Sequence, residues 1–187
     1  MNPRFPVFAA VVLLALSAGR TAAAHDFVVD QSNEPTPMSH HSIQYYMPLG
    51  QEFVPTMPQL DVVELDILDL SGTGPAELRV RIRHDAFDGP VLGESAIVTM
   101  APWHDGALHF DFPEPVPLTP GQRHIIEVVL LSGSNPMLGS GDDTRYDNGR
   151  GFLRGEFIAD DFWFRTGLDR SVPVRPRTWG GLKALYR

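Results

Sequence analysis

Apolar and polar side chains alternate along most of the chain, and stretches rich in Gly, Pro, Asp and Ser separate the alternating runs. The run 60–68 places Leu65 and Ile67 on one face of an extended strand and leaves acidic residues on the other. The run 77–84 repeats this pattern, with apolar residues alternating with arginines. A period of two residues is typical of β-strands that have one buried face. The sequence therefore predicts an all-β fold.

Further strands are predicted over seven short runs: 27–31, 51–54, 95–100, 108–112, 124–131, 151–156 and 161–165. No long amphipathic helix is visible in the sequence after residue 24, so the crossover helices that a parallel sheet requires are missing. An open sheet of so many strands would leave one apolar face in water. We therefore expect an antiparallel β-sandwich, jelly-roll-like in its connections.

The runs 60–68 and 77–84 are predicted to pair as a hairpin across the loop 71–75. Such pairing sets Arg79 and Arg81 opposite Glu64 and Asp66 as cross-strand ion pairs, each worth about 0.2–1 kcal/mol. The arginine stripe is interpreted in this way as a device that sets the register. An anion-binding face is the alternative interpretation.

The N-terminal residues have the pattern of an export signal. Arg4 precedes an apolar run over 5–16, and three alanines at 22–24 form a small-residue cleavage pattern. The apolar run is shorter than the roughly 20 residues that span a bilayer. The sequence predicts a signal peptide over 1–24, and a secreted or periplasmic protein with no stable membrane span after processing.

The remaining chain is expected to divide into one domain and a tail. Residues 25–167 have a length typical of a single β-sandwich domain. Residues 168–187 are predicted to form a linker and a short apolar tail, since 171–177 contains two prolines and two arginines.

Charge and cysteine content exclude several classes of function. The chain has 15 basic and 23 acidic residues, a formal net charge of −8, and no cysteine. Nucleic acid is not an expected partner, because binding it requires a basic face. Without cysteine there are no disulfides, thiolate metal sites or thiol nucleophiles.

Six short segments occur in an order that is shared with a known group of proteins: 30–33, 50–56, 60–65, 89–95, 115–121 and 161–165. Together they resemble a β-sandwich domain of exported bacterial proteins of the PEP-CTERM and choice-of-anchor kind. The resemblance covers roughly 27–167 and implies a jelly-roll-like sandwich, but it carries over no catalytic motif. A Pro-Glu-Pro triplet at 113–115 lies in mid-chain and is followed by no transmembrane run or basic cluster, so it does not match the sorting signal of many relatives.

Aromatic residues in loops provide candidates for ligand binding. A flat ring can cover the apolar face of a sugar while polar side chains bind its hydroxyls. Trp103 lies in a turn-rich segment, and Tyr146 lies beside Arg145 and Asn148 in the glycine-rich loop 139–149. These four residues are predicted to bind a glycan or another surface polymer. The alternative is that each ring only covers an end of the sandwich.

The same loop contains candidate metal ligands. Asp142, Asp143 and Asp147 supply carboxylate oxygens, which suit calcium. A calcium site needs about six to eight oxygens, so backbone carbonyls or another segment would have to complete it. The alternative is that these residues only form turns.

Two catalytic hypotheses remain beside a non-catalytic one. Cleavage after residue 24 would make His25 the N-terminus, where its amine and imidazole could hold copper. Glu64, Asp66 and Glu127 could form the paired carboxylates of a glycosidase if they met in one concavity. The leading expectation is a secreted, non-catalytic β-sandwich that binds a glycan or surface polymer. An enzyme and a purely structural envelope protein are the alternatives.

Overall fold

The computed structural model describes residues 27–141 and 145–169. Within these ranges the chain forms fourteen β-strands and one short helix. The strands are β1 (Phe27–Asn33), β2 (Ser39–Ser42), β3 (Leu49–Phe53), β4 (Gln59–Leu68), β5 (Ala76–His84), β6 (Val91–Glu94), β7 (Val98–Met100), β8 (Asp105–Pro117), β9 (His124–Gly133), β10 (Met137–Gly141), β11 (Gly151–Leu153), β12 (Glu156–Phe157), β13 (Asp161–Phe162) and β14 (Phe164–Asp169). The helix, α1, spans Ile43–Tyr46, and the Ser42 hydroxyl caps it by accepting a hydrogen bond from Tyr45 N.

The strands form two antiparallel sheets. Sheet A has the order β1-β14-β4-β10-β13, and in addition β8 pairs with β4 and β2 pairs with β10. Sheet B has the order β12-β11-β3-β9-β5-β6, and β7 also pairs with β5. The two sheets are not closed into a barrel, so the predicted all-β class and antiparallel sandwich are confirmed.

The core lies between the sheets and is built from the inward face of each strand. The inward positions of β4 and β5 that the alternation predicts are all buried: Val63, Leu65, Ile67, Leu78, Val80 and Ile82. Phe53 from sheet B meets Phe164 from sheet A across the core, with ring centroids 6.5 Å apart. Each such side chain contributes about 1.5–3 kcal/mol on burial. Apolar packing is therefore the main source of stability in this cysteine-free chain.

The predicted hairpin between β4 and β5 is wrong. β4 pairs with strands of sheet A, whereas β5 pairs with β9, β6 and β7 in sheet B, so the connection between them crosses from one sheet to the other. Arg79 and Arg81 contact Glu94 at 2.6 and 2.7 Å, and Arg83 contacts Glu127 at 2.6 Å. The arginines do form ion pairs, but their partners lie on neighbouring strands of sheet B. Alternation fixes which face is buried and leaves the neighbouring strand unspecified.

The structure contains strands that the alternation did not predict. β2 falls in a Pro- and Ser-rich lead-in, and β10 includes the first residues of the predicted loop 139–149. Gly and Ser are weak strand formers, but β10 pairs with β2, β4 and β13, and this tertiary pairing overrides the local preference. The last strand, β14, continues past the predicted domain boundary at 167. The predicted signal peptide and residues 170–187 lie outside the described ranges.

In the described part of the chain, no helix has the length and apolar character that crossing a membrane requires.

Candidate functional site

A polar cleft of about 560 Å³ opens at one end of sheet B. Its walls are Glu52, Val54, Arg123 and the segment 145–150, and we call it the Glu52 cleft. β3 pairs antiparallel with both β9 and β11, so the end of β3 meets the beginnings of those two strands. This topology brings three distant parts of the chain together at one point.

Gly149 allows the segment 145–150 to lie directly on β3. A Cβ atom at this position would stand 2.0 Å from the backbone oxygen of Glu52, which is far inside van der Waals contact. The close approach permits Glu52 N to donate a hydrogen bond to Arg150 O at 3.0 Å. The floor of the cleft is therefore held by backbone contact as well as by side chains.

Arg123 is positioned by a tight turn just before β9. Gln122 N donates to Thr119 O at 3.1 Å, and Gly121 has a φ of +79°, a conformation that glycine adopts without strain. As the turn ends, Arg123 O accepts a hydrogen bond from Asp85 N at 3.1 Å, which ties the cleft to the end of β5.

Tyr146 anchors the segment to the core and does not offer its ring to a ligand. The side chain is buried, and its ring meets that of Phe164 edge to face at 5.1 Å. Its hydroxyl donates to Gln31 Oε1 at 2.9 Å and accepts from Val54 N at 3.3 Å. Burial raises the pKa of this tyrosine to about 12. The expected stacking of Tyr146 on a sugar is therefore corrected to an anchoring role.

A second anchor is a buried polar network between the two sheets. Asp161 accepts hydrogen bonds from Tyr146 N at 3.1 Å and from Gln51 Nε2 at 3.0 Å. Gln51 Oε1 in turn accepts from Phe162 N at 2.9 Å. Buried polar groups that are all hydrogen-bonded fix one arrangement of the chain. This network holds residue 146 against β3 and β13.

Glu52 is the buried charged group of the cleft, with only 4% of its surface exposed. Burial raises the pKa of its carboxyl, while Arg123 and Arg150 act in the opposite direction. The Arg123 Nε atom lies 3.7 Å from Glu52 Oε1, beyond the range of a direct charge-assisted hydrogen bond. The carboxyl also interacts with the backbone of Arg150 and lies buried at the base of the cleft.

An aromatic cleft of about 410 Å³ adjoins the Glu52 cleft and shares Glu52 and Arg123 with it. Phe152 packs against Phe87 and Phe157, with ring centroids 4.6 and 4.3 Å away. Phe157 is 46% exposed, and the Arg150 guanidinium lies 3.6 Å from its ring centroid. An exposed aromatic surface therefore continues directly from the polar walls of the Glu52 cleft.

The structure places Arg145, Asp147 and Asn148 at the cleft, as neighbours of the anchored Tyr146. All three are exposed, so they remain candidates for ligand contact. Sequence analysis did not select Glu52, Arg123, Arg150 or Phe157. No local pattern could have found them, because they become neighbours only through the pairing of β3, β9 and β11.

Trp103 lies at the opposite end of sheet B. Its indole contacts Gly72, in the loop that precedes the first residue of β5. The Glu52 cleft instead adjoins Asp85, which follows the last residue of β5. The nine residues of β5 separate the two places by about 27 Å. Trp103 and the segment 145–150 therefore do not form one site.

The backbone of Trp103 is held in an unusual conformation. Its φ is 60°, and its N–H donates to Asp69 Oδ2 at 3.3 Å. The indole lies directly on Gly72, where a Cβ would stand 2.0 Å from a ring carbon. Even so, 67% of the residue is exposed, so one face of the ring meets solvent. A strained, fixed and exposed tryptophan is a separate feature of this end of the sandwich.

Of the three candidate metal ligands, the structure describes Asp147 alone. Asp142 and Asp143 lie outside the described residues, and Asp147 is exposed at the cleft. Across 27–141 and 145–169, no three His, Asp or Glu side chains cluster closely enough to hold a metal ion. The calcium hypothesis stays a prediction, as does the copper hypothesis, since His25 is also outside the described residues.

The carboxylates of the glycosidase hypothesis do not form one site. Glu64 and Asp66 lie on β4 in sheet A, whereas Glu127 lies on β9 in sheet B. Glu64 contacts His109 Nδ1 at 3.3 Å, and Glu127 is engaged by Arg83. Glu127 thus binds within its own sheet and does not face the two acids of β4.

No protein-family model matches the sequence, and no curated protein matches it either. Function is therefore inferred from the side chains that line the Glu52 cleft.

Proposed function

We propose that this protein is a secreted, non-catalytic β-sandwich module that binds a glycan or another surface polymer in the Glu52 cleft. The supporting observation is that the polar walls of this cleft adjoin the exposed ring of Phe157. Sugar sites combine an aromatic surface for the apolar face of the ring with polar groups for its hydroxyls. Here Arg145 and Asn148 supply donors, and the Glu52 carboxyl supplies an acceptor.

The remaining parts of the proposal rest on the sequence. The pattern over 1–24 supports export, and the order of the six motif segments supports membership of the PEP-CTERM and choice-of-anchor group. The β-sandwich fold agrees with that membership. The acidic net charge of −8 argues against a nucleic-acid partner.

Affinity electrophoresis of the processed protein in gels that contain plant and bacterial polysaccharides tests this function. We expect at least one polymer to retard the protein. Phe157→Ala and Asn148→Ala should weaken binding about tenfold, since one aromatic or hydrogen-bonding contact is worth about 1–1.5 kcal/mol. Melting curves of both variants check that the sandwich stays folded.

Trp103→Ala is the matched control, because it removes an exposed aromatic at the other end of sheet B. It should leave retardation unchanged. Loss of binding in Trp103→Ala alone would move the site to that end and overturn the assignment to the cleft. If no polysaccharide retards the protein, the glycan-binding function is wrong.

A further inference from the structure

Three arginines line the Glu52 cleft of a chain whose formal net charge is −8. Arg123 comes from the turn before β9, and Arg145 and Arg150 come from the segment before β11. The acidic residues of the same cleft are Glu52 and Asp147. The side chains that line this cleft thus carry three positive and two negative formal charges, while Asp85 and Asp88 line the adjoining aromatic cleft.

Among the residues that the structure describes, these arginines have no close ion-pair partner. Arg123 is 60% exposed, and its only salt-bridge contact among the described residues is the 3.7 Å approach to Glu52. No carboxylate of the described residues lies within ion-pair distance of Arg145 or Arg150. Arg150 stacks on Phe157, an arrangement that leaves the N–H groups at the edge of its guanidinium open to a ligand. By contrast, each arginine of β5 contacts a carboxylate at 2.6 or 2.7 Å.

One nearly fully buried carboxyl, that of Glu52, lies at the base of the cleft beside these arginines. Burial raises the pKa of Glu52, although Arg123 and Arg150 attract the charged form. The charged form of Glu52 is thus disfavoured because the carboxylate loses its hydration on burial. An anion at the open mouth of the cleft would be attracted by the same arginines. It would lose less of its hydration than the buried carboxylate of Glu52 does. The cleft therefore favours an added negative charge near its mouth.

We propose that the Glu52 cleft selects acidic polysaccharides, and that Arg145 and Arg150, together with Arg123, bind the anionic group of the sugar. The inference rests on the proposed glycan-binding function and names the class of ligand. A carboxylate or a sulfate fits, because a guanidinium donates two parallel hydrogen bonds to either. The exposed part of Phe157 that Arg150 does not cover contacts the apolar part of the same sugar.

Paired polymers that differ only in charge give the cleanest test. Polygalacturonate is compared with its methyl-esterified form, and dextran sulfate with dextran, by affinity electrophoresis and calorimetry. We expect an acidic polymer to bind at least about tenfold more tightly than its neutral partner, since a hydrogen bond to a charged group contributes about 1.5–3 kcal/mol. The pair that shows the difference identifies carboxylate or sulfate as the recognised group. Added salt should weaken the acidic arm and leave the neutral arm unchanged.

Substitution of the arginines locates the effect. The double variant Arg145→Gln/Arg150→Gln should lose the preference for the acidic polymer. Arg154→Gln is the control: it also removes a positive charge, but its guanidinium lies 4.2 Å from the centroid of the Tyr45 ring and does not line the cleft. It should keep the preference. Equal melting temperatures would show that all three proteins are folded.

The outcomes separate this inference from the function beneath it. Equal binding of acidic and neutral polymers overturns the acidic selectivity and leaves glycan binding in place. A preference that survives in the double variant overturns the assignment to these arginines. Failure of every polysaccharide to bind refutes the proposed function itself.

Discussion

Tyr146→Phe removes one oxygen atom from the anchor of the segment 145–150. In the native chain the hydroxyl donates to Gln31 Oε1 at 2.9 Å and accepts from Val54 N at 3.3 Å. The ring would keep its edge-to-face contact with Phe164. The substitution therefore isolates two hydrogen bonds and leaves the apolar packing in place.

The expected loss of stability follows from these two bonds. A hydrogen bond contributes about 0.5–1.5 kcal/mol net, and a donor left without a partner in the interior adds a desolvation cost. Because Val54 N–H would lose its acceptor, we expect the free energy of unfolding to fall by about 2 kcal/mol. For a domain of this size the melting temperature should fall by about 8 °C.

Calorimetry and urea denaturation followed by tryptophan fluorescence measure this change. Tyr45→Phe is the control, because Tyr45 is exposed; its stability should change by less than about 0.5 kcal/mol. A Tyr146→Phe protein that melts like the wild type would refute the anchoring role. If it also failed to bind polysaccharide, the hydroxyl would belong to the ligand site.

Three further substitutions test the charged groups of the sheets. Glu127→Gln leaves the mostly buried Arg83 without its carboxylate and should lower the unfolding free energy by about 2–3 kcal/mol. Glu94→Gln removes a more exposed carboxylate and should lower the unfolding free energy by less than about 1 kcal/mol. Urea denaturation measures both variants, and an equal loss of unfolding free energy in the two would contradict this ranking. His109 contacts two carboxylates, first Glu64 and then Asp111, which raise its pKa above the ordinary 6.5. Its contribution to stability is complete below about pH 6.5 and is lost as pH rises through the raised pKa, so His109→Gln should be less stable than wild type in acid and nearly equal in alkali. An NMR titration that gave His109 a pKa at or below 6.5 would contradict it.

The class of fold and the inward face of the central strands follow from local patterns of residues. The alternation that placed Leu65 and Ile67 inward is a property of successive residues, and both are fully buried in the structure. The turn before Arg123 was equally local, since Gly121 lies where a positive φ is required. Sequence analysis also selected Arg145 and Asn148, because polar residues of a glycine-rich loop are exposed in most folds.

Strand pairing and the set of residues that meet at the cleft depend on the folded chain as a whole. β4 and β5 are consecutive and carry complementary charges, yet they lie in different sheets, because pairing depends on packing across the whole core. Glu52, Arg123 and Arg150 are distant in the chain and meet through strand pairing alone. The burial of the Tyr146 side chain depends on hydrogen-bond partners that three other segments supply. An alternation of apolar and polar residues reports only which face of a strand is buried. It cannot specify contacts between residues that are far apart in the chain.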